Sequence, residues 1–134
     1  MKILIVIYVI YDIIYGMENF QVIFYETLTG SRPVEEFILA QNVKMQAKIF
    51  QSLTLLEEQG NNLREPNSKL LSEGIFEIRV KQSNNITRIL YFFVVGKKAV
   101  LTNAFVKKTM KTPQKEIQLA KERRADFFRR ILKN

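Results

Sequence analysis

The chain has 134 residues, an apolar fraction of 47% and a formal charge of +8, which fits one globular domain with a real core and is too apolar for general disorder. It contains no His and no Cys, so disulfides, a thiol nucleophile, an imidazole base and the soft metal ligands are excluded. Residues 1–63 hold four Lys/Arg against seven Asp/Glu, whereas residues 64–134 hold seventeen against six; such a basic half suits a nucleic acid or an acidic protein partner.

Residues 1–15, MKILIVIYVIYDIIY, are apolar apart from Lys2 and Asp12. The run is shorter than the roughly 18–20 residues of a spanning helix, and Asp12 is expensive in hydrocarbon. No small-residue cleavage site follows, so neither a membrane span nor a signal peptide is expected. The Ile, Val and Tyr content favours a strand. The favoured reading starts translation at Met17, which leaves 1–16 as a non-native apolar extension and 17–134 as a single domain. If made, the extension is an added edge strand or a loosely attached arm.

Phe20–Tyr25 reads as a strand, broken near Gly30. Ser31 is expected to N-cap a helix reaching about Gln41, with Pro33, Glu35 and Glu36 in its first turn. A second helix follows with an apolar stripe at Val43, Ala47, Phe50, Leu53 and Leu56, ended by Gly60-Asn61-Asn62. The two form an N-terminal helical hairpin packed on a sheet. Leu63–Glu73 reads as a polar connector.

Phe76, Ile78 and Val80 then alternate with Glu77, Arg79 and Lys81, the period of a half-buried strand. Asn84-Asn85 turns the chain into Ile86–Val95, apolar on both faces as a central strand is. Gly96-Lys97 turns it again into Ala99–Val106, completing an antiparallel meander. Thr112 is expected to cap a last helix with Pro113 at its first position and a stripe of Ile117, Ala120, Phe127, Phe128 and Ile131. The order β-α-α-β-β-β-α describes one compact α+β domain.

The chemistry-bearing residues concentrate between Phe76 and Pro113. Arg79 and Lys81 share the polar face of their strand with Glu77, which is within pairing reach of Arg79. Arg88 interrupts an apolar strand and must reach solvent along its stem or find an anion. Lys107, Lys108 and Lys111 leave the last strand. Neighbouring strands lie about 4.8 Å apart, so these cations can converge where a phosphate would sit. In the competing reading Glu77–Arg79 is a surface ion pair, Arg88 snorkels and the lysines simply follow a strand. No phosphate-binding glycine loop, dinucleotide pattern, metal-ligand spacing or nucleophile elbow is present, so no cofactor or metal is expected.

Residues 20–130 resemble the RelE/ParE superfamily of bacterial toxins, most closely its HigB-like, phage-derived branch. The resemblance is carried by KLLSEGIFEIRV (Lys69–Val80), TRILYFF (Thr87–Phe93) and NAFVKKTMKTPQKEIQLAKER (Asn103–Arg123). It implies a cytoplasmic, RelE-like toxin domain neutralised by a helix-turn-helix antitoxin, reaching operator DNA through that antitoxin. The implied activity is endonucleolytic cleavage of mRNA on the ribosome, by attack of a ribose 2′-hydroxyl on the adjacent phosphate. By resemblance Arg88 and Lys108 stabilise the phosphate and its transition state, and Arg79 and Lys107 position the backbone. Lys81, Lys111 and Tyr91 are the implied substrate-binding residues, although core packing is the simpler role for Tyr91. The chain departs from the pattern at Asn103, where many relatives carry histidine, and at Pro113 and Gln114, where several carry a tyrosine nearby. Two rival implications are a ParE-like gyrase inhibitor without catalysis and an inactive relative that works only in an antitoxin repressor complex.

Overall fold

A computed structural model describes residues 19–106 and 111–133, together with Val6, Ile7 and Ile10. Those three are helical and about half exposed, not the strand expected of the apolar N-terminal run. Strand propensity is realised through cross-strand partners, and none of the three appears in a sheet register. The boundary at Met17 lies outside the described residues. Among the described residues no helix is long and apolar enough to cross a membrane.

The described chain runs β1 (Gln21–Phe24), α1 (Pro33–Leu39), α2 (Val43–Gln59), a 3-10 turn (Gly60–Asn62), β2 (Ser68–Ser72), β3 (Ile75–Gln82), β4 (Asn85–Val94), β5 (Lys98–Val106) and α3 (Gln114–Leu132). The strands form one sheet in the order β1-β5-β4-β3-β2. β1 lies parallel to β5 and every other pair is antiparallel. The α+β class, the helical hairpin, the central position of β4 and the last helix all follow the expected plan, which is that of a RelE-like fold.

The meander has four strands, not three, because β2 lies within the expected connector. Leu70 and Leu71 precede Glu73-Gly74, and both turn residues have positive φ (42° and 80°), the backbone that closes a tight hairpin. The stripe of α2 is also rotated from expectation. Met45, Ile49, Leu53 and Leu56 are buried, whereas Val43 and Phe50 are 80% and 54% exposed. At 100° per residue Met45 and Ile49 continue the line of Leu53 and Leu56, and Val43, Ala47 and Phe50 diverge from it. At α1 the N-cap is Arg32, and the Ser31 hydroxyl instead donates to Glu36 Oε1 at 3.1 Å. The Asn42 carboxamide caps α2 by accepting from the Met45 N–H at 2.8 Å.

One face of the sheet (Ile78, Val80, Ile89, Tyr91, Ala99, Leu101) packs on α1 and α2. The other (Ile75, Leu90, Phe92, Val100) packs on Ile117 and Ala120 of α3 and on Tyr25. The Tyr25 hydroxyl donates to Asp126 at 2.6 Å, and Arg130 pairs with the same carboxylate at 2.7 Å. Both Arg123 and Arg130 lie over the Tyr25 ring. α3 is thus fastened to the end of β1 as well as to the sheet.

Candidate functional site

The β3–β4 hairpin pairs Gln82 with Asn85, and counting back puts Arg79 directly opposite Arg88. Two like charges in that position repel. They are reconciled by Glu77, two residues back on the same face of β3. Its Oε2 accepts from Arg79 Nε at 2.9 Å and its Oε1 accepts from Arg88 at 3.3 Å. Thr112 completes the cluster. Its hydroxyl donates to the same Glu77 Oε1 and accepts from Arg88 at 3.0 Å.

Glu77 is 0% exposed and Arg88 1%, whereas the Arg79 side chain is 28% exposed. Burial of this kind is tolerable because the carboxylate accepts charge-assisted bonds from both sides. The Glu77–Arg79 pair occurs as expected, but it is part of a buried network and not an isolated surface pair. Arg88 has found its anion inside the protein. Thr112 does not cap α3: the N-cap is Pro113, without a side-chain bond, because the Thr112 hydroxyl is committed to Glu77 and Arg88. The effect is to tie the chain entering α3 to the centre of the sheet.

A register shift brings Asn103 to the same face. Leu90 pairs with Asn103 but Tyr91 with Leu101, so Thr102 is an extra residue in β5. Its one hydroxyl proton is shared between Asn103 Oδ1 at 2.6 Å and the Leu90 carbonyl at 3.1 Å. The inserted residue reverses the alternation, so Asn103 turns toward α3 and donates to the Glu116 carbonyl at 3.2 Å and to its carboxylate at 3.1 Å. Asn103 is thus a buried amide joining β5 to α3.

Beyond Ile78, which faces Ser68, β3 has no β2 partner; the Asn67 carbonyl accepts the Arg79 N–H at 3.1 Å. Where this stretch of β3 meets α2 lies a cleft of about 490 Å³, lined by Lys48, Gln51, Ser52, Asn67, Arg79 and Lys81, with Pro66, Val80 and Ile86. Lys48 Nζ donates to the Lys81 carbonyl at 3.1 Å across it. Every charged residue of the lining is basic.

The structure therefore brings Arg79, Arg88 and Lys81 together on or beside one strand face. Lys111 is exposed one residue before Thr112. Lys107 and Lys108 lie outside the described residues. Tyr91 is on the opposite face, 1% exposed, stacked on Phe76 and hydrogen-bonded to Ser68. Burial pushes its phenol up, opposed by the Ser68 bond and the Arg64 charge. It is a core residue in this structure. From sequence Glu77 is visible only as a partner of Arg79. Its role between two opposed arginines was available from counting the hairpin register. Lys48, Gln51 and Ser52 gave no signal, because only the packing of α2 beside β3 makes them neighbours of Arg79.

A mixed sheet with a helical hairpin on one face, a terminal helix on the other and a charged network beneath that helix is the plan of a RelE-like domain. Residues 36–125 match the family described as Phage derived protein Gp49-like (DUF891), and the chain belongs to that family, a RelE/HigB-type toxin family. Proteins of this family are commonly toxins of toxin–antitoxin systems. No curated protein matches the chain.

Proposed function

We propose that this protein is the toxin of a type II toxin–antitoxin pair and cleaves mRNA on the ribosome as a HigB-like interferase. Its partner is a helix-turn-helix antitoxin, through which it reaches operator DNA, and it acts in the cytoplasm. The observation that carries this reading is Arg79, oriented by the buried Glu77 carboxylate and entering a cleft whose charged residues are all cations.

In the reaction the ribose 2′-oxygen gives up its proton to water and bonds to the adjacent phosphorus as the P–O5′ bond breaks, and the leaving 5′-oxygen takes a proton from water, giving a 2′,3′-cyclic phosphate and a 5′-hydroxyl end. Negative charge grows on the non-bridging oxygens, and fixed cations stabilise it more than they stabilise the ground state. Arg79 supplies such charge from β3, and Lys81 two residues on binds the RNA backbone beside it. Lys107, Lys108 and Lys111 supply it from the segment that follows β5, with Lys108 assigned to the transition state. Arg88 acts through Glu77 and Thr112, and so positions Arg79 and the start of α3. Without an imidazole, the rate derives from in-line alignment and electrostatics.

Arg79→Ala leaves Glu77 bonded to Arg88 and Thr112. It is expected to relieve growth arrest on induction while the antitoxin still copurifies; full arrest by this variant refutes the site. A second reading is favoured by the burial of Arg88: a ParE-like gyrase inhibitor, or a repressor-complex relative, needs the network only for folding. It predicts intact mRNA after induction, and for the gyrase inhibitor a change in plasmid supercoiling.

A further inference from the structure

We infer that the cleft between α2 and β3 is a second phosphate-binding subsite, which holds a phosphodiester of single-stranded RNA beside the one bound at Arg79. The inference rests on the RNA reading above and adds residues from outside the strands. Lys48 comes from α2, Lys81 from β3, and Arg79 links the cleft to the Glu77 network. Gln51, Ser52 and Asn67 add neutral donors and acceptors suited to phosphate and ribose oxygens.

Three features favour a nucleic-acid backbone over a peptide. No carboxylate lines the cleft, and Glu77 behind Arg79 is fully buried, so the charges a polyanion meets at the cleft surface are cations. The volume, about 490 Å³, falls in the range of about 300–1,000 Å³ usual for small-ligand pockets and admits a nucleotide. The β3 edge beyond β2 is closed to a peptide strand, because the Arg79 N–H already donates to the Asn67 carbonyl and the Lys81 carbonyl accepts from Lys48. That bond also fixes the Lys48 stem, so its charge is held over the cleft at little entropic cost.

The test is fluorescence anisotropy of the full chain with a labelled hexanucleotide of 2′-O-methyl RNA, which cannot be cleaved by 2′-attack, titrated across a salt series. The Lys48→Gln variant removes the charge and keeps a donor for the Lys81 carbonyl; it is combined with Lys81→Gln. The double variant is expected to bind at least tenfold more weakly. Its salt slope should fall by about 0.7, the contribution of the one single-strand phosphate contact that the subsite makes. Circular dichroism should superimpose on the wild type.

Unchanged affinity and slope in the double variant, with RNA bound by the wild type, overturns the subsite and leaves the toxin reading standing. A wild-type chain that binds no RNA overturns the subsite as well, and growth arrest with codon-phased cuts then tells whether the toxin reading survives. Displacement of the RNA by an acidic peptide at a lower concentration than by inorganic phosphate assigns the cleft to a protein partner and also overturns the proposal.

Discussion

Replacing Glu77 with alanine tests the network from its centre. The carboxylate is fully buried and accepts from Arg79 at 2.9 Å, from Arg88 at 3.3 Å and from Thr112. Without it Arg88, at 1% exposure, loses this buried carboxylate and still has Arg79 directly opposite. Removing one partner of a buried pair costs about 3–5 kcal/mol, a large part of the roughly 5–15 kcal/mol that holds a domain together. At about 4 °C per kcal/mol for a domain of this size, the melting temperature should fall by about 12–20 °C in thermal unfolding followed by circular dichroism. A Glu77→Leu/Arg88→Met double variant should recover most of the loss, because apolar replacement of both partners is often neutral. A Glu77→Ala variant that melts within about 3 °C of the wild type would refute the reasoning.

Three further outcomes follow from other parts of the structure. Arg79→Ala should melt within a few degrees of the wild type while Arg88→Ala melts far lower, since only Arg88 is sealed in the interior; equal melting of the two would contradict their different burial. Gly60→Ala should destabilise by about 2–4 kcal/mol in urea unfolding, because an added Cβ overlaps the Phe20 ring and the backbone there has φ of 52°; a neutral result would remove Phe20 from its place over the α2 end. The hydrogen bond from Tyr25, with Arg129 and Arg130, holds the Asp126 carboxyl below its usual range. Its stabilising effect is present above the ordinary carboxylate pKa of about 4 and is lost as pH falls through the depressed value. Asp126→Asn should therefore flatten the acid limb of a stability–pH curve, and an unaltered limb would disprove the contribution. Burial foremost, then the Asp126 bond, raises the Tyr25 phenol, so stability from Tyr25 is full below pH of about 10 and is lost as pH rises through its folded value.

The sheet was legible because residues 76–81 alternate, residues 86–95 are apolar on both faces and turn residues separate the strands, and the helical hairpin because its breaks at Gly30 and Gly60 are unambiguous. β2 was hidden by Lys69, Ser72 and Glu73, polar residues that an edge strand carries as readily as a loop does. The parallel pairing of β1 with β5 joins segments more than seventy residues apart, which no local pattern encodes. The rotated face of α2 reflects two overlapping stripes that share Leu53 and Leu56; the sheet selects the one with Met45 and Ile49. At the site, alternation placed Glu77, Arg79 and Lys81 on one face, yet the burial of Arg88 depended on Thr112 arriving from 24 residues away. The turn of Asn103 toward α3 depended on one inserted residue, Thr102, whose effect appears only in the β4–β5 register.

The central claim is that the chain acts on RNA. Its most direct test is induction of the intact protein followed by mapping of mRNA 5′ ends on translating ribosomes. New 5′-hydroxyl ends in phase with codons, absent from the Arg79→Ala strain and suppressed by the antitoxin, are the predicted result. Growth arrest with no new 5′ ends would contradict the account and turn it toward inhibition by binding alone.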